Sequence, residues 1–285
     1  MADEQPDHPR DELAAKISRG VPHSARIWNY WMGGKDNYEV DHAAGDAGVK
    51  VYPDIVTMAV QSRQFLIRAV RYLASEAGIR QFLDIGTGLP TMQNTHEVAQ
   101  QVAPESKVVY VDNDPLVLVH ARALLRNTTP EGVTAYLDAD FNDPDMIIAD
   151  ARNVLNFNQP IGVMFMGVLG HVAEFDDARS IVGRVMGAVP SGSYLVLWDG
   201  NDTNQAYVDL CEAYTKTGGV PYIPRSNEQI GQYFEGLEMV GPGLVSISQW
   251  LPTTTEIGTD EPLDSAYGAV ARKPPSQRTG RSLSR

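Results

Sequence analysis

Two glycines after a short apolar run are the residues with the most recognisable chemical use. The stretch 82–88 reads FLDIGTG, in which strand-forming residues lead to Asp84, Gly86 and Gly88. Glycines at the end of a strand let the chain turn tightly and let a ligand approach the main chain. In open α/β sheets, ligands bind beyond the carboxyl ends of the strands. The stretch therefore predicts the floor of a nucleoside-cofactor site.

Further acids fall where the next two predicted strands end. Asp112 closes the apolar run at 107–112, and Asp140, with Asp138 as the alternative, follows the run at 133–138. An acid at the end of the second strand can accept hydrogen bonds from the ribose hydroxyls of a nucleoside. Acids at three successive strand ends make the glycine turn a more specific signal than it is alone.

The residues after the turn separate two classes of cofactor. A dinucleotide fingerprint has a third small residue, as in G-x-G-x-x-G, but Thr91 stands there and Pro90 is predicted at the helix start. A proline in that place removes an N–H that a pyrophosphate would use, and Asp84 would repel the phosphates. S-adenosylmethionine has a sulfonium and an ammonium group and no phosphate, so the charges favour it. A nicotinamide oxidoreductase remains a third hypothesis.

The elements that must position these acids alternate between strand and helix. Strands are predicted at 81–85, 107–112, 133–138, 161–166 and 193–198, and the helix after the first strand at about 90–102. Apolar runs without strict alternation indicate strands that are covered on both faces, and the order predicts an α/β, doubly wound, Rossmann-like sheet. Strand-like runs at 245–250 and 266–271 have no helix between them and predict an antiparallel hairpin at one edge.

An aromatic segment before the sheet is predicted to be a covering helix. Trp28 and Met32 share one face of this helix, and Ile27 and Trp31 share another, so it would be apolar nearly all round. Core packing and a lid over the cofactor or the acceptor both explain this pattern.

The chain is predicted to have four segments. They are a mobile N-terminal arm at 1–20, a helical lid or cover at 21–80, a core at 81–272 and a disordered basic tail at 273–285. A homodimer is left open.

The composition of the chain limits the partners, the location and the metal sites that we expect for it. The formal net charge of −13 opposes nucleic-acid binding. Cys211 is the only cysteine, which suits a reducing cytoplasm. No secretory signal or membrane-spanning run is predicted, and the histidines show no metal-ligand spacing.

At these motifs the chain resembles class I S-adenosylmethionine-dependent methyltransferases, with D-x-G-x-G at 84–88 as their first motif and Pro90 where many members have a third glycine. It closely resembles an actinobacterial group, formerly a domain of unknown function and now called S-adenosyl methyltransferases. The resemblance covers about 21–274 and rests on ARIWNY at 25–30, GGKDNY at 33–38, FLDIGTGLPT at 82–91, VDNDP at 111–115 and ARKP at 271–274. It implies a seven-stranded sheet with an antiparallel last strand.

The resemblance implies a role for each matching position. The residues implied in binding S-adenosyl-L-methionine are Asp84, Gly86, Thr87, Gly88, Asp112, Asn113, Asp140, Phe141, Arg63, Tyr30 and Tyr38. Asp84 would hold the ammonium group, Asp112 the ribose diol and Asp140 the adenine amino group. Arg63 would meet the carboxylate, while the two tyrosines would close the site. As alternatives, Asp84 and Asp112 could cap helices, and Asp140 could belong to a polar turn.

Methyl transfer from a sulfonium depends mainly on positioning, and a general base is needed only where the acceptor must lose a proton. His171, after the fourth strand, is the predicted base, with a structural role as the alternative. Trp198 and Asp199 are expected to line the acceptor pocket. The leading hypothesis is a methyltransferase for a small, partly apolar acceptor, with a role in secondary metabolism. The alternative is a protein that binds S-adenosylmethionine or S-adenosylhomocysteine without methyl transfer, as a sensor or partner subunit.

Overall fold

The computed structural model describes residues 20–90, 93–124, 126–252 and 261–275, with the side chains of 120–124 excluded. The predicted arm at 1–20 and the basic tail at 273–285 therefore lie largely outside the described residues, as does Thr91.

A mixed sheet forms the centre of the described chain. Its eight strands are β1 Gln81–Ile85, β2 Lys107–Asp112, β3 Val133–Asp138, β4 Gly162–Met166, β5 Tyr194–Gly200, β6 Glu238–Met239, β7 Val245–Ser246 and β8 Ala266–Arg272. The strand order is β3-β2-β1-β4-β5-β8-β6, with β7 also paired to β8. Strands β1 to β5 are parallel, and β8 is antiparallel to β5. This confirms the predicted Rossmann-like α/β class with an antiparallel last strand.

The end of the sheet differs from the prediction in two details. Strands β7 and β8 pair antiparallel, as the predicted hairpin requires, and β7 is at the edge while β8 lies inside the sheet, between β5 and the short strands β6 and β7. Two short strands pair with β8 at separate places, which gives eight strands where seven were expected. The predicted strand at 245–250 pairs only at Val245–Ser246 and then forms a 3-10 turn at Ile247–Gln249. Arg68 donates to the carbonyls of Ile247 and Trp250, at 2.6 and 2.9 Å, and thereby holds that segment against a helix.

The helices of the described chain are α1 Ser24–Trp31, α2 Glu39–Val51, α3 Ile55–Ser75, α4 Thr95–Val102, α5 Pro115–Leu124, α6 Pro144–Ala151, α7 Phe175–Ala188, α8 Gln205–Thr215 and α9 Asn227–Gln232. None of the helices described here is long and apolar enough to cross a membrane.

Helix α4 begins later than predicted. A capping box fixes its start, because the amide of Asn94 donates to Glu97 Oε2 at 2.7 Å. Pro90 thus lies in the loop that precedes the helix, and the argument that it removes an N–H from the first helical turn was wrong. The argument from the charge of Asp84 does not depend on this helix start.

Apolar layers cover both faces of the sheet. Neighbouring residues of β1 point into opposite layers, since Phe82 packs with the buried face of α3 and Leu83 packs with the layer formed by α6 and α7. Both side chains are fully buried. This two-sided burial explains the unbroken apolar runs in the sequence, and it leaves the carboxyl ends of the strands as the place where polar groups can gather.

Candidate functional site

A cavity of about 280 Å³, called the central cavity below, lies at the carboxyl ends of β1, β2 and β4. Its walls contain most of the residues implied by the resemblance, namely Arg63, Asp84, Gly86, Thr87, Gly88, Asp112, Asn113, Asp140 and Phe141, together with the predicted base His171. Trp198, at the end of β5, also lines it. Folding therefore brings together residues from distant parts of the chain.

The glycine turn forms one wall of the central cavity. Gly86 and Gly88 have φ angles of +72° and +66°, a conformation that favours glycine. A Cβ on Gly86 would lie 2.5 Å from a methyl of Val168, so this site requires the missing side chain. A Cβ added to Gly88 would have the Cβ of Ala25 as its nearest heavy atom, at 3.9 Å. The main chain is thus open to a ligand at Gly88.

Asp112 connects this turn to β2. Its Oδ2 accepts from the amide of Gly88 at 2.8 Å, and its Oδ1 accepts from the amide of Asp114 at 2.9 Å. Asp114, not Asp112, accepts from Leu116 N at the start of α5, so the capping alternative belongs to the neighbouring acid. Burial raises the pKa of Asp112, against the two amide hydrogen bonds. Each carboxylate oxygen retains a lone pair for a ligand hydroxyl.

Asp84 is buried beside a cation. It is 2% exposed, and its Oδ2 accepts from the hydroxyl of Thr95 at 2.7 Å, which anchors it to the start of α4. Burial raises the pKa of Asp84 to about 6, and the hydrogen bond from Thr95 and the charge of Arg63 oppose that rise. Both Asp84 and Arg63 line the central cavity. An acid next to a guanidinium can face the ammonium and the carboxylate of one amino-acid group.

Asp140 forms the polar turn given as its alternative role and also lines the central cavity. Its Oδ1 accepts from the amide and the side-chain Nδ2 of Asn142, at 2.9 and 2.8 Å, which forms a polar turn. Asp140 and the adjacent Phe141 nevertheless line the central cavity, whereas Asp138 does not. The turn places a carboxylate and an aromatic ring at the same end of the cavity.

Helix α1 covers the central cavity with one of its faces. Trp28 and Met32, the predicted pair, line it. Trp28 packs edge-to-face on Trp198, with ring centroids 5.8 Å apart. On the other predicted face, Ile27 is 3% exposed and belongs to the protein core. One face of α1 thus lines the central cavity, while Ile27 packs in the core.

His171 lies on a 3-10 turn directly after β4. Its Nδ1 is 2.9 Å from the carbonyl oxygen of Pro221. Because a carbonyl can only accept, Nδ1 carries the proton of the neutral ring and Nε2 has the lone pair. Burial lowers the pKa of His171, which favours this neutral form at pH 7.

The remaining expected residues lie elsewhere. The hydroxyl of Tyr30 donates to Asp46 at 2.8 Å, away from the central cavity. Tyr38 is the N-cap of α2 and packs in a small apolar cluster with Leu89. Contrary to the expectation, neither tyrosine lines the central cavity, because the side chain of Tyr30 points from α1 towards Asp46 of α2, and Tyr38 caps α2. Asp199 is buried within β5, which pairs with β8 as far as Gly200, and it does not line the central cavity.

Sequence reasoning missed several residues of the cavity wall. They are His23, Ser24, Ala25, Ser62, Leu66, Leu89, Val111, Ala139, Asn142, Met166, Gly167, Val168 and Val220. His23 is the most informative, because its Nδ1 lies 3.0 Å from Asp114 Oδ2 and so connects α1 to the end of β2. Its position before a helix could have suggested an N-cap, which it is. No sequence pattern, however, pairs it with Asp114.

The fold and the central cavity define a class of protein. Asp84 and Asp112 lie at the ends of β1 and β2, Asp140 follows β3, and all three line the cavity beside the glycine turn, together with Arg63. This donor set fits a nucleoside that carries positive charge and a diol. It matches S-adenosylmethionine-dependent methyltransferases.

Comparison with known proteins gives the family. A family model for S-adenosyl methyltransferases matches residues 10–274, and the chain belongs to that family. A crystal structure of a DUF574 family protein from Streptomyces avermitilis is 44% identical, with a TM-score of 0.85, over 90% of this chain and 99% of that one. A candidate methyltransferase from Thermobifida fusca is 38% identical, with a TM-score of 0.81, over 93% of this chain and 98% of that one. No curated protein matched the sequence.

These matches confirm the predicted family and its actinobacterial relatives. The protein is an S-adenosylmethionine-dependent methyltransferase, and its cofactor is S-adenosylmethionine.

Proposed function

We propose that this methyltransferase acts on a small-molecule acceptor and binds its cofactor in the central cavity. The observation that carries the proposal is the cover formed by α1, since Trp28 and Met32 bound a cavity of about 280 Å³ over the strand ends. A covered cavity suits a small acceptor better than a polymer. The net charge of −13 also opposes nucleic acid.

The residues of the cavity fit the groups of the cofactor. Asp84 and Arg63 would hold the ammonium and the carboxylate, and the open backbone at Gly88 would approach the methionyl part. Asp112 would accept from the ribose hydroxyls, with Asn113 beside it. Asp140 and Phe141 would hold the adenine. When bound, S-adenosylmethionine supplies a methyl group on a positively charged sulfur.

His171 is proposed as the general base. Its Nε2 lone pair can take a proton from a hydroxyl or an amine of the acceptor, while the carbonyl of Pro221 holds the ring in place. Trp28 and Trp198 exclude water from this side of the cavity.

A cytoplasmic location is part of the proposal, because the cysteine of this chain is a buried free thiol. A role in secondary metabolism stays a prediction.

Calorimetric titration and a labelling assay test the proposal. S-adenosylhomocysteine should bind, and NAD should not. The protein is then incubated with methyl-labelled S-adenosylmethionine and an extract of the host cell. The mixture is separated by size, and the small molecules are resolved from the unreacted donor by chromatography. We expect label in a small molecule other than the donor, in an amount that depends on the added protein. Transferred label confined to protein or nucleic acid would refute the small acceptor, and label that stays entirely on the donor would favour the binding protein without methyl transfer.

A further inference from the structure

A second cavity, called the side chamber below, adjoins the central cavity. It has a volume of about 80 Å³ and lies between α1, α2 and α8. Ser24, Trp28 and His171 line both spaces, so the side chamber leads to the predicted base. Ile27 and Trp31, the second predicted face of α1, line the side chamber. Both predicted faces of α1 thus reach the side chamber, and the face with Trp28 also lines the central cavity.

The side chamber has an inner end and a mouth. Ile55, Tyr207 and Cys211 are buried and form its floor. Ala47 of α2 and Ala213 of α8 also line it, but both are exposed and stand at the surface. A ligand could therefore enter between α2 and α8 and reach the central cavity at His171.

The walls are aromatic. Trp28 and Trp31 pack edge-to-face with ring centroids 5.7 Å apart, and Tyr207 and Tyr222 do so at 6.5 Å. His171 is perpendicular to Tyr222 at 5.1 Å. Rings in this arrangement present faces and edges to a flat guest. The hydroxyl of Tyr222 points into the protein, where it accepts from Gly200 N at 2.9 Å and donates to Asp199.

The walls also carry no charge at neutral pH. No Asp, Glu, Lys or Arg is among the described residues that line the side chamber. Burial raises the pKa of Cys211 and of Tyr214 to about 12 in each case, so the thiol and the phenol are protonated. Burial raises the pKa of Tyr207 and Tyr222 and lowers that of His171. A charged guest would lose its hydration and find no counter-ion here.

We propose that the side chamber is the acceptor site and that it takes an uncharged, single-ring aromatic molecule whose reactive group points towards His171. The proposal rests on the proposed function, and it specifies the acceptor class. The volume limits the guest to one ring at most, since the side chamber, at about 80 Å³, is smaller than the dry apolar cavity of about 150 Å³ known to hold benzene. The ring must therefore extend into the adjoining central cavity at His171. Neutral aromatic walls support an uncharged ring, and the shared wall at His171 gives the orientation.

The test uses three probes that share one ring and differ in charge. They are 4-ethylphenol, which is neutral, 4-hydroxybenzoate, which is an anion, and tyramine, which is a cation. Each is titrated calorimetrically into the full chain, with and without S-adenosylhomocysteine. We expect 4-ethylphenol to bind at least about tenfold more tightly than either ion, because burying an unpaired charge is costly. Absence of 4-ethylphenol binding, or equal or tighter binding of an ion, would overturn the proposal.

Two matched variants locate the binding. Ala47→Trp fills the mouth of the side chamber, whereas Ala43→Trp places the same ring at an exposed position of α2 that does not line it. We expect Ala47→Trp to weaken 4-ethylphenol binding by about tenfold or more, as a blocked cavity excludes the ring, and Ala43→Trp to leave it unchanged. Equal effects of the two variants would refute the location.

Folding and the cofactor are controlled separately. Thermal melting shows whether each variant is folded. If Ala47→Trp does not fold, Ala213→Trp is used instead to block the mouth from the side of α8. S-adenosylhomocysteine affinity should be the same in all three variants. A wild-type chain that fails to bind S-adenosylhomocysteine refutes the proposed function, whereas a chain that binds it but shows no selective, Ala47-dependent binding of 4-ethylphenol refutes only the acceptor site.

Discussion

The central cavity and the side chamber meet at Trp28 and His171, but their walls have opposite chemical character. The central cavity contains Asp84, Asp112 and Arg63, and the side chamber is lined by aromatic and small neutral side chains. The first is built at the ends of strands and the second between helices. A cofactor with fixed charges needs fixed counter-charges, while a neutral acceptor needs only shape and a dry surface.

The two spaces also hold their ionisable groups differently. The carboxylate oxygens of Asp112 accept hydrogen bonds from backbone amides, which oppose the rise of its pKa on burial, and Asp112 lines the central cavity. Asp199 lies behind the side chamber, fully buried, and burial raises its pKa to about 7. The tyrosine hydroxyl that contacts Asp199 separates that charge from the chamber. Charged side chains therefore line the central cavity on one side of His171, whereas none of the described residues that line the side chamber on the other side is charged.

The largest expected effect is on the cofactor side. Asp112→Ala removes two charge-assisted acceptors, each worth about 1.5–3 kcal/mol, and leaves the amides of Gly88 and Asp114 without their partner. We expect S-adenosylhomocysteine affinity to fall at least about a hundredfold by calorimetry. Affinity for 4-ethylphenol in the absence of cofactor should not change. Unaltered S-adenosylhomocysteine affinity would mean that Asp112 does not bind the cofactor.

The next largest effect is expected at His171, which lines both the central cavity and the side chamber. His171→Ala should lower the turnover of the acceptor identified by labelling about 10²-fold, because a positioned base typically contributes that much or more. Cofactor affinity should change far less. The pKa of His171 is lowered, so the rate should fall only as the pH drops below its ordinary value of 6.5. Equal turnover in the variant and the wild type would assign His171 a structural role.

A smaller effect is expected behind the side chamber. The folded chain holds the Asp199 proton up to about pH 7, whereas the unfolded chain loses it near 3.8. Stability should therefore fall as the pH rises from 3.8 to 7, since the unfolded state binds fewer protons there.

Asp199→Asn should remove that part of the slope, about 1.4 kcal/mol per pH unit within the range. Urea unfolding of both chains at several pH values measures it. Parallel stability curves for the variant and the wild type would show that Asp199 does not titrate in this range.

The smallest effect is at the chamber floor. Cys211→Ser puts a hydroxyl in an apolar place and should cost about 1 kcal/mol of stability, seen as a lower melting temperature. S-adenosylhomocysteine affinity should stay the same. In the wild type, iodoacetamide at pH 8 should label Cys211 slowly when folded and readily in urea, because its pKa is raised to about 12. Fast labelling of the folded chain would contradict a neutral, buried floor.

Local signals predicted the strand ends of the site well. Apolar runs with an acid at their end gave Asp84, Asp112 and Asp140 their places, because consecutive parallel strands bring their carboxyl ends to one edge of the sheet. Helical spacing separated Trp28 and Met32 from the opposite face of α1. These patterns depend on near neighbours in the chain.

Contacts between distant segments could not be predicted in the same way. Tyr30 and Tyr38 were assigned to the site from the resemblance, but the side chain of Tyr30 points from α1 towards Asp46 of α2, and Tyr38 caps α2. The start of α4 was placed at Pro90 because proline favours a first turn, although the capping pair of Asn94 and Glu97 fixes it later. Strand β8 enters the sheet beside β5 through long-range pairing that no local pattern records.

The sequence by itself determined the class of fold, the glycine turn and the acids that suit the cofactor, because strand periodicity and turn chemistry are local properties. The tertiary structure alone decided that His23 faces Asp114, that Asp199 is hidden behind Tyr222, and that α1, α2 and α8 enclose a neutral chamber beside His171. Packing of helices sets the shape and charge of that space, and packing joins residues that the chain keeps far apart.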